Sequence, residues 1–292
     1  TSVSGGAMAR IKRTDSTGAW YVVDTVRGAL PHIKWNDETF AEANFSDGSL
    51  TGTTLTLSSD LATGTYVIEV FYVGVYFQIQ SYTGTGVAKT ETFGSALDTA
   101  PGMVFVKQRL STVDGHIVYH EATGNTGGMR ANSTAAFLTN SVWFNNTSPT
   151  TTGFTVGTGT STNQNTKTFI AYAWANSGPY AFGSYTGNAN ADGPMINVGG
   201  YPTTMLQKPV SSGTNWVLYP SLMDVEGGNP IDYMLPNSTA AASNPGLVDL
   251  VSTGMKVRTT AGSVNPSGVE VIYGAFGIQP LTDGAINQGR AK

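Results

Sequence analysis

Residues 168–175 read TFIAYAWA, and this stretch decides the fold class. Its aromatic and aliphatic side chains favour an extended chain, in which successive side chains point to opposite faces. One face of the predicted strand carries Phe169 and two alanines, and the other carries Ile170, Tyr172 and Trp174. Because both faces are apolar, we predict either that the strand is central in its sheet or that one face packs against a neighbouring unit.

Strands of the same kind recur about a hundred residues away on either side, in TYVIEVFYVG (65–74) and VEVIYGAFG (269–277). Two shorter motifs also recur: SYTG begins at positions 81 and 184, and NSTAA begins at positions 132 and 237. Repetition at a regular spacing indicates a row of similar units. We therefore divide the chain into three copies, residues 1–77, 78–178 and 179–292, the last of which includes a short C-terminal tail.

The first copy is the most diverged of the three. It carries NDETF in place of NSTAA, and it has no counterpart of SYTG. Either its first strand is missing or something else supplies that strand. Terminal copies of a repeat are commonly atypical, because one of their faces has no neighbour.

The rhythm within each copy is that of an antiparallel β-sandwich. Seven or eight short runs rich in Val, Ile, Tyr, Phe and Thr alternate with clusters of Gly, Ser, Asn and Asp. We predict an all-β chain of tandem antiparallel β-sandwich repeats, jelly-roll or lectin-like, with the first repeat incomplete or diverged. The linkers between copies are short, so we expect the copies to pack on one another.

The composition excludes several classes of function. Only 12% of residues are charged, the net charge is −4, and the basic residues form no cluster beyond Lys12 and Arg13. Binding to a phosphate backbone needs such a cluster, so no nucleic acid partner is expected. The absence of cysteine excludes disulfides and thiolate metal sites. No apolar run reaches the roughly 18–20 residues of a membrane span, so no membrane insertion is expected.

The densest group of titratable side chains contains Asp114, His116, His120 and Glu121. On a strand the two imidazoles share one side, where they could bind a metal ion together. Asp114 precedes the strand, however, and Glu121 points to the opposite face. The other two copies have no histidine at the matching positions, which favours a surface substitution in one copy. We predict no metal site.

Acidic residues form a further group, Asp224, Glu226 and Asp232, within a Gly-rich loop. Carboxylate oxygens suit Ca²⁺, although a solvated turn is the more common use of such a loop. The copies share no carboxylate that could serve as the acid or base of a glycosidase. No nucleophile or phosphate-binding motif occurs in a suitable context. We predict no catalytic residue, no cofactor and no enzymatic activity.

The tryptophans fall into two groups. Trp20 and Trp216 occupy matching positions beside apolar strands, which favours burial in a core. Trp35 and Trp143 lie outside the strongest periodic strands, and we predict that they are exposed and contact a surface or a glycan. In the repeated NSTAA, the NST is interpreted as a turn in which the polar side chains bond their own backbone.

Taken together, SYTGN, APGMVFVK, IKRTDSTGAWYVVDTVRG, NSTAA, TTGFTVG and TFIAYAWA resemble a domain repeated in tail and fibre-associated proteins of tailed bacteriophages, marine and cyanobacterial ones among them. The resemblance covers most of the second and third copies, and the first copy from about residue 8 to residue 74. It implies a structural virion protein, most directly a tail fibre or tail-associated appendage, located in the phage particle. It supplies no catalytic residue.

The resemblance also implies partners. These are other proteins of the tail or capsid and further copies of the chain, with a trimer favoured because fibre proteins are commonly trimeric. Contact with a host-surface glycan or receptor is a further expectation. Two alternatives stay open: a capsid decoration or head-fibre protein built from the same sandwiches, and a carbohydrate-binding or depolymerising module.

Overall fold

The computed structural model describes residues 5–28, 31–37, 41–44, 48–51, 54–57, 63–110, 115–223 and 229–280. Strands account for 48% and helices for 6% of the residues that the structure describes, and the sheets are antiparallel. The all-β sandwich prediction is therefore confirmed. Within the described ranges, no helix has the length and apolar character needed to cross a bilayer.

The first unit is a five-stranded sheet with a small second sheet packed on it. Its strands are β1 (Ala7–Arg13), β2 (Trp20–Asp24), β3 (Pro31–Lys34), β4 (Ala43–Asn44), β5 (Gly48–Thr51), β6 (Thr54–Leu57) and β7 (Tyr66–Tyr72). The large sheet, sheet I, has the order β4-β3-β2-β1-β7, and β5 pairs with β6. Ala7, Ala9, Ile11, Val23 and Leu50 form the core between them.

The second unit is a six-stranded sheet with a second sheet and two short helices on one face. Its elements are β8 (Phe77–Thr83), β9 (Lys89–Thr92), β10 (Pro101–Gln108), β11 (Ile117–His120), β12 (Gly124–Arg130), β13 (Leu138–Thr139), α1 (Ser141–Phe144), β14 (Gly153–Val156), α2 (Thr160–Asn163) and β15 (Thr168–Ala175). Sheet II has the order β13-β12-β11-β10-β15-β8, and β9 pairs with β14.

The third unit also combines a large sheet with a smaller second sheet. Its strands are β16 (Tyr180–Thr186), β17 (Met195–Asn197), β18 (Gly200–Tyr201), β19 (Thr204–Pro209), β20 (Val217–Pro220), β21 (Val248–Val251), β22 (Gly254–Val257), β23 (Glu270–Phe276) and β24 (Gln279–Pro280). Sheet III has the order β16-β23-β19-β20, the second sheet has the order β17-β22-β21, and β18 pairs with β24.

The three large sheets share one strand order. The last strand of each unit (β7, β15 or β23) lies beside β1, β10 or β19, which in turn lies beside β2, β11 or β20. In sheets II and III a first strand, β8 or β16, covers the other side of the last strand. Sheet I has no such strand among its described residues. The copy boundaries at 77/78 and 178/179 stay predictions, and β8 begins at Phe77.

The second face of each large sheet packs into one core shared by all three units. On β15, Phe169 faces the core of the second unit itself, whereas Trp174 faces the shared core. The Trp174 ring lies 5.6 Å from the ring of Phe71 in the first unit and 6.0 Å from that of Phe276 in the third. TFIAYAWA is thus central in its sheet and also packs one face against neighbouring units.

Backbone hydrogen bonds link the three units in a ring. A loop in each unit donates an N–H to the carbonyl that follows the β1-type strand of the next unit: Glu42 to Arg109 (2.7 Å), Phe137 to Val210 (2.8 Å) and Ala242 to Thr14 (2.9 Å). The bonds run from first to second, second to third and third to first. The units are therefore arranged cyclically, each in contact with both of the others.

The NST motif forms the turn that supports these contacts. The Ser133 and Ser238 hydroxyls each accept a backbone N–H from two residues further on, at 3.1 Å. This part of the interpretation is confirmed. The asparagine instead bonds the strand beside it, because its Oδ1 accepts a backbone N–H there: Asn36 from Trp20 (2.8 Å), Asn132 from His116 (3.0 Å) and Asn237 from Trp216 (3.0 Å).

Candidate functional site

His116 is buried at a contact between units. Its Nδ1 donates to the carbonyl oxygen of Trp35 in the first unit at 2.9 Å. In the other two units a tryptophan donates in the same way: Trp20 to Leu235 (3.0 Å) and Trp216 to Arg130 (2.9 Å). The interpretation of His116 as a surface substitution is wrong, because its ring N–H takes the place of an indole N–H. Burial of Trp20 and Trp216 is confirmed.

His120 is also buried, with both ring nitrogens bonded. Its Nε2 donates to the carbonyl oxygen of Tyr273 at 3.0 Å, and its Nδ1 accepts the backbone N–H of Ala122 at 3.2 Å. The Glu121 carboxylate accepts from the side-chain amide of Asn176. The two ring nitrogens of His120 are therefore bonded to protein partners in two different units, and they are not directed at a common point.

The acidic candidates are only partly within the described ranges. Asp114, Asp224 and Glu226 lie outside them, whereas Asp232 lies within. In the part of the chain that the structure describes, no three His, Cys, Asp or Glu side chains are grouped to hold a metal ion.

Burial lowers the pKa of His120 to about 4. Between this value and the ordinary pKa near 6.5, the unfolded chain binds more protons than the folded one, so acidification lowers the free energy of unfolding. We expect wild type to lose up to about 1.4 kcal/mol per pH unit from this group between pH 6.5 and 4. The H120Q variant, whose amide can still donate to Tyr273, should lack this contribution. Urea unfolding of both proteins at pH 7 and pH 4.5 tests this; equal pH slopes would contradict it.

Trp35 and Trp143 are inside the protein, with exposed fractions of 2% and 4%. Trp35 follows β3 and stacks on Phe105 in the shared core, with ring centroids 4.1 Å apart. Trp143 lies in α1, where the Asn140 side chain caps the helix and the indole packs into the core of the second unit. The prediction of exposure is wrong for both, because the segments between strands also contribute to these cores. Neither indole face is available to a glycan.

A buried ionic network joins the first and second units. Asp24 accepts from the Arg27 guanidinium at 2.5 Å and from the Tyr172 hydroxyl at 2.7 Å. Arg27 also lies 3.4 Å from Glu42, which accepts two bonds from Arg109 at 2.8 and 2.6 Å. Because each charge has an opposite partner, the desolvation cost of burying it is offset. The network therefore links the first and second units through buried charges.

Two buried lysines connect units in a similar way. The Lys12 Nζ lies 3.3 Å from the Thr239 carbonyl in the third unit, and the Lys208 Nζ lies 3.3 Å from the Thr134 carbonyl in the second. Both carbonyls belong to NST turns. Burial lowers the pKa of each lysine to about 8. In these two units the lysine is therefore a contact to the NST turn of another unit.

A groove runs along the free edge of β7, the edge at which no strand of the described ranges pairs. Residues 67–71 form one side, and residues of the third unit, including Tyr180, Leu222 and Phe276, form the other; the volume is about 250 Å³. Apolar side chains are exposed here: Val70 by 36%, Tyr72 by 47% and Leu222 by 79%. Exposed apolar surface beside a strand edge that lacks a pairing partner is typical of a protein-binding site.

A protein-family model described as a domain of unknown function (DUF7483) matches residues 73–280, about seven tenths of the chain. The chain belongs to the DUF7483 family. No curated protein and no solved structure matches it.

The DUF7483 region begins just before β8 and ends with β24, so it comprises the second and third units. Within it the last strand of each unit is covered, β15 by β8 and β23 by β16. Most of the first unit lies outside the DUF7483 match. The groove therefore lies where this unit meets the DUF7483 region, between β7 and the third unit.

Proposed function

We propose that this chain is a structural component of a tailed-bacteriophage particle, in a tail fibre or tail-associated appendage, that acts by binding other virion proteins. The proposal starts from the resemblance of its motifs to a repeated domain of such proteins. A non-enzymatic role fits the way the described buried charges and histidines are used, since these groups bond across the contacts between units.

The observation that carries the proposal is the shared core. Three sandwiches arranged in a ring, with Trp174 in contact with rings from both neighbours, make a block with little freedom for its parts to move. Close-packed interiors resist compression and transmit strain, which suits a component of a particle. The low charge leaves a surface on which contacts are made by shape and hydrogen bonding.

The test is to locate the chain in particles. An antibody raised against the recombinant chain is applied to density-gradient-purified particles from the source culture, with immunogold imaging and mass spectrometry of the same fractions. We expect the chain to co-purify with particles and the label to lie on the tail. An antibody pre-absorbed with the recombinant chain is the control. Label on the capsid would favour a decoration protein instead, and a chain found only in the particle-free supernatant would contradict a virion role.

A further inference from the structure

We propose that the free edge of the first unit binds a strand–turn–strand segment of another polypeptide, with the chemistry that residues 77–92 have in the second unit. The inference goes beyond the proposed function, because it rests on a comparison among the three units and does not depend on the partner being a virion protein.

The backbone of β7 is available for pairing. Thr14 donates to the Thr65 carbonyl and Val73 donates to the Gly6 carbonyl, so the odd-numbered residues of this segment bond toward β1. The alternation of an antiparallel ladder then directs the N–H and C=O groups of Ile68, Val70 and Tyr72 outward. Among the described strands, β7 pairs with β1 alone. A row of outward backbone groups is a template for a further strand.

The other two units show what covers this edge. β8 pairs with β15 over seven residues, and β16 pairs with β23 over seven. The effect on exposure is large, since Val70 is 36% exposed whereas the matching Ala173 and Ala275 are 1% and 0% exposed. Tyr72, at 47%, matches Ala175, at 0%. The first unit therefore exposes the positions that a strand buries in its counterparts.

The groove also has the wall that such a strand needs. Phe77 on β8 packs against Phe71 of the first unit, with ring centroids 5.6 Å apart. Phe182 on β16 packs against His120 of the second unit, at 5.8 Å. Each first strand thus contacts the preceding unit in the ring. For the first unit that neighbour is the third, which forms the opposite side of the groove.

The exposed edge of β6 indicates that the partner segment contains a second strand. Its counterparts β14 and β22 pair with β9 and β17, the strands that follow β8 and β16 in the chain. Among the described residues, β6 pairs with β5 alone. Leu57 on β6 is 38% exposed, whereas the matching Val156 and Val257 are 0% exposed. One segment shaped like residues 77–92 would cover both edges at once.

The two internal examples define the chemistry of the partner. Phe77 and Ile79, two residues apart on β8, both face the shared core. Tyr82 faces the core of its own unit, where its hydroxyl donates to the Thr162 carbonyl at 2.6 Å. In the third unit Tyr185 takes the position of Tyr82 in the same SYTG motif. The partner is therefore an extended segment in which two apolar residues, separated by one residue, precede Ser-Tyr-Thr-Gly.

The test uses the complete chain and a synthetic peptide, FQIQSYTGTGVAKTET, with the sequence of residues 77–92. We expect saturable 1:1 binding by isothermal titration calorimetry. The variant V70P removes an outward N–H without removing a bond to β1, and it should weaken binding about tenfold or more. The variant L110S, which removes an exposed side chain of the second unit, should bind as wild type does.

The peptide supplies its own control. Gln80 pairs with Ala171 in the second unit, so a peptide with Q80P lacks the N–H that would meet Ile68 and should not bind. This control is independent of whether V70P folds. Absence of binding by the parent peptide, or equal binding by V70P or by the Q80P peptide, would overturn the proposal. Dimers of the chain in sedimentation velocity that V70P abolishes would overturn it too, by making a second copy the occupant.

Discussion

Replacing Trp174 with alanine is expected to destabilise all three units together, by about 3–5 kcal/mol. The side chain is fully buried on a central strand, and its ring contacts Phe71, Phe77, Tyr172 and Phe276, which come from all three units. Removing the indole leaves a cavity where the three large sheets meet, and the strands around it can close only part of the space.

Guanidinium unfolding, followed by far-UV circular dichroism and by aromatic fluorescence, measures the W174A effect. We expect one transition for both probes, displaced to lower denaturant, because the shared core makes the units unfold cooperatively. The V87A variant is the control in the same unit: Val87 is 64% exposed, and its loss should change the free energy of unfolding by less than about 0.5 kcal/mol. A W174A protein that unfolds in two steps, with part of the chain as stable as wild type, would contradict a shared core.

Replacing Asp24 with alanine is expected to cost about 3–5 kcal/mol, because it leaves the Arg27 charge buried without its closest partner. Both side chains are 0% exposed. Asp24 accepts bonds from the Arg27 guanidinium, from the Tyr172 hydroxyl and from two backbone N–H groups, so D24A leaves several donors unpaired at once. The remaining carboxylate near Arg27, that of Glu42, is 3.4 Å away.

The surface pair of Arg13 and Asp15 provides the matched control for D24A. Its side chains are 32% and 42% exposed, so D15A should melt close to the wild-type temperature. A double variant, D24L with R27M, removes both buried charges and should recover most of the stability lost in D24A. Thermal melts of the four proteins at one pH suffice. Similar losses for D24A and D15A would show that the network does not stabilise the contact between units.

Much of the secondary structure could be predicted, because local patterns determine it. The alternation in TFIAYAWA identified a strand with two apolar faces, and both faces are buried. Matching positions of Trp20 and Trp216 indicated burial, and both indoles lie in the shared core. The missing SYTG of the first copy was visible in the sequence, and the described part of sheet I has no strand at the corresponding edge.

The candidate site was harder to predict, because its contacts join residues far apart in the chain. His116 and Trp35 are 81 residues apart in the sequence, and their hydrogen bond lies at a contact between units. The alignment of His116 with two buried tryptophans was the signal for a shared ring N–H donor. The link from Asp24 to Tyr172 left no local pattern, because these residues are 148 positions apart and meet only in the folded chain.

The sequence by itself determined the strands, their apolar faces and the turns, since side-chain alternation and turn chemistry act over a few residues. Only the tertiary structure decided what covers each face. Three sheets with apolar faces on both sides can bury the second face by meeting around one core, and that arrangement places Trp174 against rings from both neighbouring units. The same arrangement determines that β7, alone among the last strands described, presents a free edge beside the third unit.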